Sequence, residues 1–238
     1  MFEIIGNIFN VCLYQPLLNF LVLLYNFLGN FGLSIIVLTL IIKVATNPLN
    51  KKSLESQKKM TEMQPLIKEL QKKYKDKEQQ GRELLKLYQE HKFNPFAGIL
   101  VLFLQLPILW ALFRVFQAGI EISKIGPFIY SFIPVPEIIN PMFLSIDLSQ
   151  PSILIAIITA VTQFIQVKTT PMQPAKKEGD KEKDQMEQMT EMIQKQTLFI
   201  IPIITFFVLF KLPAALGLYW MLTTILNIFQ QRKIFNKK

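Results

Sequence analysis

Long apolar stretches separated by two strongly polar segments dominate the pattern of the chain. Apolar runs that carry almost no charge cover residues 31–50, 94–116, 151–167, 197–211 and 213–230. A helix needs about 20 apolar residues to cross a hydrocarbon core about 30 Å thick. The pattern therefore predicts an all-α, polytopic membrane protein with a core of five transmembrane helices.

The N-terminal segment, residues 1–30, is apolar but less regular. Within it Gln15, Asn19 and Asn26 fall on one helical face, at spacings of four and seven. The interrupted stretch from 13 to 28 is short for a span. We therefore expect an amphipathic helix that lies in the membrane interface. A sixth transmembrane helix over residues 4–28 remains an open alternative.

A polar segment at residues 51–93 predicts a cytoplasmic helical hairpin. Apolar positions in its first half alternate spacings of three and four, and the rhythm resumes after "KDKEQQGR". Such a seam allows two antiparallel helices to pack together without a bilayer, and we place the turn near residues 76–81. The seam positions are Met60, Met63, Ile67, Leu70 and Tyr74, continued by Leu84, Tyr88 and His91.

Basic residues orient the predicted spans. Twelve Lys or Arg lie in 51–93, six in the loop 168–196 and four in the tail 231–238, but only one lies in the loop 117–150. Lysine and arginine accumulate in cytoplasmic loops. We therefore expect a cytoplasmic hairpin, loop and basic C-terminal tail, with the loop 117–150 and the N-terminus outside the cytoplasm.

Composition narrows the function classes. Hydrophobic residues make up 51% of the 238 positions, and the net charge is +9. The single Cys12 excludes a disulfide within the chain, and we find no Cys/His cluster, nucleophile motif or glycine-rich phosphate loop. We expect no enzyme activity, cofactor or metal. Seven acidic residues interleave with the twelve basic ones of the hairpin, so nucleic-acid sequence recognition is not expected either.

Polar side chains recur inside the predicted spans. Lys43 follows Thr39 by one helical turn in the first span, and no carboxylate lies within the spans to pair with it. Polar groups in a bilayer usually face a bundle interior or a wet cavity. We therefore expect several spans to enclose a positively charged hydrophilic chamber. Further polar positions are Gln105, Thr159, Thr162, Gln163, Gln166, Thr223, Thr224, Asn227 and Gln230.

Two alternatives weigh against the chamber. Lys43 lies six residues before the end of its span at Leu49, or about 9 Å along a helix, so its ammonium group could snorkel toward the lipid headgroups. Single Thr and Gln side chains in spans also act as interhelical hydrogen-bond partners worth about 0.6 kcal/mol each. The chamber is favoured by the whole set rather than by any one residue.

Four stretches in order along the chain resemble the YidC/Oxa family of membrane protein insertases. "YQPLLNFLVLLYNFLGNFGLSIIVLTLIIKVATNPLNKKSLES" is similar to the interfacial helix and first core span of that family. "KFNPFAGILVLFLQLPILWALF" resembles its segment with Asn-Pro followed by Gln-x-Pro-Ile. "AVTQFIQVKTTP" and "LPAALGLYWMLTTILNIFQQ" resemble its third and final core spans.

The resemblance implies a five-helix core around a groove that opens to the cytoplasm and to lipid but is closed to the outside. The family carries a positive residue, usually arginine, where this chain has Lys43. Lysine keeps the charge but lacks the rigid fork of donors. The resemblance also implies a bacterial inner-membrane protein. The residues expected to bind clients in the groove are Lys43, Thr39, Gln105, Thr162, Gln163, Asn227, Tyr219 and Trp220.

The implied function is insertion of membrane proteins, and "client" here means the protein being inserted. Lys43 would attract acidic residues of a client, the hairpin would guide the client, and the apolar segment would partition into lipid without a nucleotide. Expected partners are client membrane proteins, nascent chains and the lipid bilayer, with the ribosome and the Sec translocon as further candidates. A polar-lumen channel or transporter, and a tether or assembly chaperone that does not insert clients, are the rival functions.

Overall fold

The structure is a computed structural model that describes residues 2–74, 76–94, 96–118, 122–169 and 198–236. Nearly all of its regular structure is helical. The α-helices in chain order are α1 (Phe2–Phe9), α2 (Gln15–Leu28), α3 (Phe31–Lys73), α4 (Lys77–Glu90), α5 (Phe96–Ala118), α6 (Ile122–Ile125), α7 (Ile153–Thr169), α8 (Leu198–Leu209) and α9 (Ala214–Phe235).

A π-helical turn at Asn10–Tyr14 joins α1 to α2, so the N-terminal region forms one helix that is longer than the apolar pattern suggested. Gly29 ends α2 with a positive φ of 63°, a conformation that favours glycine. Asn30 then caps α3, because its side-chain oxygen accepts a hydrogen bond from the Leu33 N–H at 3.0 Å.

Helix α3 continues without a break through Pro48 and Pro65 and is 43 residues long. It therefore joins the predicted first span to the first arm of the predicted hairpin, which the sequence analysis treated as separate elements. Side-chain hydrogen bonds flank Pro48. Asn50 donates to the Thr46 hydroxyl at 3.2 Å, and Gln230 donates to Asn47 at 2.9 Å. Such contacts help a helix to tolerate a proline within a membrane.

Helix α3 ends at Lys73 and α4 begins at Lys77, so the turn lies slightly earlier than the predicted turn at 76–81. Asp76 caps α4 by accepting the N–H groups of Glu78 and Gln79 at 3.4 and 3.2 Å. Within the described residues, the side chains of the predicted seam are only partly buried. Met63 is buried, Met60, Ile67 and Leu70 are half-buried, and His91 is exposed.

The loop 126–150 covers one end of the bundle, which we call the loop end; the opposite end, near α4, is the hairpin end. The loop contains a short antiparallel pair, β1 (Met142–Phe143) and β2 (Ile146–Asp147), in which Phe143 pairs with Ile146. The Phe143 ring packs on Gly32 of α3 so closely that a Cβ atom there would lie 2.2 Å from it.

The polar face of α2 binds this loop. Asn19, only 2% exposed, donates to the Phe128 carbonyl at 2.8 Å and accepts from the Tyr130 N–H at 2.7 Å. Asn26 donates to the Pro134 carbonyl at 2.7 Å. Asn19 therefore faces the protein and not lipid headgroups, while the interfacial position of the whole segment stays a prediction.

The main hydrophobic core lies toward the loop end. Helix α3 contributes Phe31, Ile35 and Leu38, all before Lys43, and α9 contributes its first turns from Ala214 to Tyr219. Helices α2 and α5 and the loop complete the cluster. Helices α7 and α9 pack closely, because a Cβ atom at Gly217 would lie 2.6 Å from the Ile155 side chain. Phe164 and Phe199 bring α7 and α8 together, with ring centroids 5.9 Å apart.

Within the residues that the structure describes, two helices are long and apolar enough to cross a membrane, judged by length and composition alone. They are Gly6–Leu28 and Phe31–Lys73, and Ile153–Thr169 and Leu198–Leu209 are shorter apolar helices. The count of five spans stays a prediction, as does the alternative of a further span before residue 28. The predicted cytoplasmic loop 168–196 lies almost entirely outside the described residues.

Candidate functional site

A small polar cavity lies between α3, α5 and α9, at the hairpin side of the main core. Its volume is about 20 Å³, enough for roughly one water molecule. Polar side chains from all three helices form most of its wall, and no carboxylate is among them. The lining residues are Thr39, Ile42, Lys43, Thr46, Asn50, Gln105, Tyr219, Thr223 and Asn227.

The α3 wall is one helical face. Thr39, Lys43, Thr46 and Asn50 follow each other at spacings of four, three and four, which places them one above another. The hydroxyl groups of Thr39 and Thr46 donate to the Ile35 and Ile42 carbonyls at 2.6 and 2.9 Å. Because these hydroxyls bond within the helix, they are satisfied whether or not a partner fills the cavity.

Lys43 points into the bundle. Its Nζ donates a hydrogen bond to the Asn227 side-chain oxygen of α9, and the lysine is half-buried. The adjacent side of α3 is apolar and exposed, with Val44 75% exposed and Leu40 and Ile41 also outward. This geometry places the ammonium group in the cavity rather than at a lipid-facing surface, as the chamber hypothesis requires.

A second side-chain contact ties α5 to α9. Gln105 Nε2 donates to the Tyr219 hydroxyl at 2.9 Å, and Tyr219 is buried. With the contact between Lys43 and Asn227, it links all three helices across the cavity. The described side chains form a narrow polar seam, much smaller than a groove that could hold a polypeptide.

The remaining predicted groove residues lie outside this cavity. Thr162 donates to the Thr159 carbonyl of its own helix at 2.8 Å, and the Gln163 Oε1 is buried with no hydrogen-bond partner. Thr159 is also buried and donates to the Gly217 carbonyl of α9 at 3.3 Å. Trp220 is half-buried and does not line the cavity. On α7, therefore, Thr159 contacts α9, and none of the polar residues Thr159, Thr162 and Gln163 lines this cavity.

Three lining residues, Ile42, Thr46 and Asn50, were absent from the sequence prediction, and Thr223 was predicted only as a polar position within a span. The signal for the two polar ones was present, because they extend the face of Thr39 and Lys43 by one and two turns. The sequence prediction did not follow this face beyond Lys43. Ile42 carries no chemical signal, since an isoleucine in a span is indistinguishable from ordinary core.

A family model described as "60Kd inner membrane protein" matches residues 23–238, which is most of the chain. The chain belongs to this family. The resemblance that the sequence analysis identified is therefore confirmed. The match includes every residue that lines the cavity and both arms of the helical hairpin.

Similar members of the 60Kd inner membrane protein family share about a third of their residues with this chain. "Membrane protein insertase YidC" of Geobacter sulfurreducens is 33% identical over 220 residues, covering 91% of this chain and 36% of the relative. The protein of the same name from Chlorobium limicola is 37% identical over 207 residues, covering 86% of this chain and 33% of the relative. The chain thus spans about a third of the length of these curated relatives.

A solved structure of a 60Kd-family relative shares the fold. The structure described as "Active YidC insertase crystal structure with the first transmembrane domain resolved" aligns with a TM-score of 0.61 and 28% sequence identity. The alignment covers 91% of this chain and 44% of the solved chain. The helical architecture described above is therefore the one found in that insertase.

Proposed function

We propose that this chain is a non-enzymatic membrane protein insertase of the bacterial inner membrane. In this proposal it receives hydrophobic clients and nascent chains from the cytoplasm and releases their transmembrane segments into lipid. Family membership and the insertase names of its relatives support the proposal. The observation that carries it is Lys43, a cation inside the bundle whose cavity holds only neutral partners.

The positive charge in the cavity favours an acidic client segment. Asn227 contributes a neutral amide oxygen to the Lys43 ammonium group, so the positive charge is solvated but not neutralised. A client carboxylate in place of that oxygen would add the attraction of a second charge, because the bond to Asn227 has only one ionised partner. Asn227 therefore acts as an exchangeable partner that a client displaces.

The cavity must widen to admit a client segment, because its present volume of about 20 Å³ is far below that of a peptide. Two side-chain contacts, from Lys43 to Asn227 and from Gln105 to Tyr219, span the helices there. Interhelical hydrogen bonds in membranes contribute about 0.6 kcal/mol each on average. Breaking these two contacts is therefore energetically inexpensive, and client groups replace them.

Lipid partition drives the step. A client segment of about 20 apolar residues gains free energy on entering hydrocarbon, so no nucleotide is required. The short polar flank of the client meanwhile bonds to the polar groups of the cavity. It therefore does not cross hydrocarbon with unsatisfied hydrogen-bonding groups. The exposed apolar residues of α7 and α8, among them Val161, Ile203 and Phe207, form a flank along which the client reaches the bilayer.

Charge distribution supports the orientation. The described part of the loop end carries few charges, whereas the hairpin end and the segments that follow α7 and α9 are rich in lysine. We place the hairpin end and the C-terminus in the cytoplasm, and the loop end and the N-terminus outside.

The test is insertion into liposomes that contain only this protein. A single-span client with an acidic leading segment should insert with the parent and with Lys43→Arg, which keeps the charge, but not with Lys43→Glu. Equal insertion by Lys43→Glu would contradict the electrostatic role. Solute flux without insertion would instead favour a channel, and client binding without insertion would favour an assembly chaperone.

A further inference from the structure

A second and larger cavity lies between α3 and α9, next to the polar cavity on its hairpin side. Its volume is about 480 Å³. The hydrogen bond from Gln230 to Asn47, 2.9 Å long, lies at its wall. Beyond that bond Lys51 and Lys58 of α3 face Lys233 of α9 across the cavity.

The charges of this cavity do not balance. Three lysines and one glutamate, Glu55, line it. The Lys51 ammonium lies 3.7 Å from the Glu55 carboxylate, but both side chains are about half exposed or more, and such pairs contribute little. Lys58 donates to the Ile234 carbonyl of the α9 end at 3.3 Å, which fixes its position. Even without Lys58, the two lysines Lys51 and Lys233 outnumber Glu55, so the described lining of the cavity has a net positive charge.

The depth of these lysines matches the headgroup layer of a bilayer. Lys233 lies 19 residues after Ala214, the first residue of α9, and at 1.5 Å per residue that distance is about 29 Å, one hydrocarbon thickness. Lys51 lies just past the apolar part of α3, which begins at Phe31, and is about 30 Å along the helix by the same rise. The lysines of both helices thus reach the inner surface together.

We propose that this cavity binds the headgroup of an anionic phospholipid, such as phosphatidylglycerol, from the cytoplasmic leaflet. Lysine ammonium groups suit a phosphate, because they act as compact point charges with several donors. Basic pockets at the cytoplasmic face of membrane helices are a recognised setting for such headgroups. The Ile234 side chain gives the cavity an apolar wall for the glycerol backbone.

A phospholipid fits these observations better than an acidic peptide. Lys51 and Lys233 are held on two helices at headgroup depth, where anionic lipid is permanently present at high local concentration. A bound headgroup would bridge the start of the hairpin arm of α3 and the end of α9. The inference depends on α3 and α9 crossing a bilayer, but not on insertase activity.

Lipid retention measured by native mass spectrometry tests the site. The full chain in neutral detergent is titrated with phosphatidylglycerol and with phosphatidylcholine, and retained lipids are counted. The parent should retain one phosphatidylglycerol in preference to phosphatidylcholine. The triple variant Lys51→Gln, Lys58→Gln, Lys233→Gln should weaken that retention by on the order of a hundredfold, at about fivefold per lysine.

The matched control replaces Lys52, Lys59 and Arg232 by Gln. These residues are exposed, neighbour the three lysines on the same helices and do not line the cavity. The control removes the same charge at the same depth, so it should change retention by less than about fivefold. Equal loss in both triple variants would overturn the proposal, because it would indicate diffuse surface attraction.

Two further experiments distinguish the proposed lipid site from other sources of binding. The double variant Lys51→Gln, Lys233→Gln preserves the contact of Lys58 with Ile234 and should still lose about twentyfold, even if the triple variant folds poorly. Inorganic phosphate or an acidic peptide should displace the lipid only weakly. Displacement of the lipid by a low concentration of inorganic phosphate or of the peptide would contradict a phospholipid site. Binding without a preference for phosphatidylglycerol would contradict it as well.

Discussion

At the loop end of the bundle buried polar groups are almost fully bonded, whereas at the hairpin end several are not. The Asn19 side chain makes three hydrogen bonds, to Gln15, Phe128 and Tyr130, and the Tyr25 hydroxyl bonds both Ile138 and Asn140. Within the described residues of the hairpin half, buried glutamine oxygens lack partners. They belong to Gln64, Gln163, Gln230 and Gln231.

The two ends therefore have different roles: the loop end stabilises the fold, and the hairpin end can exchange hydrogen-bond partners. Saturated hydrogen bonds and the main apolar core resist rearrangement at the loop end, because breaking them leaves buried groups unpaired. At the hairpin end Lys43 is bonded to the neutral Asn227 amide and lies next to the small polar cavity. It can therefore change hydrogen-bond partners at little cost. We interpret the loop end as a seal and the hairpin end as the part that opens.

The largest effect on stability is expected for Asn19→Leu. This change leaves the Phe128 carbonyl and the Tyr130 N–H without their partner in a buried position. We expect a loss of about 3 kcal/mol in the free energy of unfolding, measured by SDS titration in mixed micelles. Asn26→Leu is the control, because Asn26 is exposed and makes one bond to the loop, and it should cost less than about 1 kcal/mol.

Next in size is Gly32→Ala, which forces the Phe143 ring away from α3. Overpacking of this kind costs about 1–3 kcal/mol, and it should also loosen the loop toward proteolysis. Gly81→Ala in α4 meets no atom within 4 Å and is the matched helical control. The control should be neutral or stabilise by up to about 1 kcal/mol. If both glycines tolerate alanine equally, the close packing of the seal is wrong.

Asn227→Asp should separate stability from activity. The new carboxylate would pair with Lys43 and neutralise the charge of the cavity. We expect unchanged or higher stability together with insertion of acidic clients slowed by about tenfold, because the ion pair competes with the client. Insertion kinetics and SDS titration on the same preparation measure both. Faster insertion would refute the exchangeable-partner mechanism.

The smallest effect is expected for Gln163→Leu, because the Gln163 oxygen already lacks a partner. Stability should stay within about 1 kcal/mol of the parent. Insertion should also be retained, since Gln163 does not line the cavity. A strong insertion defect with normal stability would show that α7 joins the client path after the seam opens, as the sequence prediction had it.

Apolar runs were sufficient to predict the helices of the second half of the chain. The run predicted at 151–167 coincides with helix α7, and the predicted start of the last run near residue 213 is one residue from Ala214. That these helices cross a membrane stays a prediction. The continuation of α3 through Pro48 was not predictable from local pattern, because a proline breaks or preserves a helix according to its tertiary neighbours.

Partners of the polar groups were harder to predict than their positions. The sequence placed Asn19 on a polar face, but its main partners, Phe128 and Tyr130, lie more than 100 residues away. For the same reason periodicity marked Lys43, Gln105 and Asn227 together with Thr162, although only the first three share the cavity. Periodicity specifies a helical face and not the helix that it meets.

A charge exchange between Lys43 and a client tests the central claim most directly. Lys43→Glu is reconstituted in liposomes with two single-span clients, one with an acidic leading segment and one whose acidic residues are replaced by lysine. If the charge in the cavity selects clients, Lys43→Glu fails with the acidic client and inserts the basic one, and the parent shows the opposite preference. Insertion of both clients by Lys43→Glu at the rate of the parent would contradict the account.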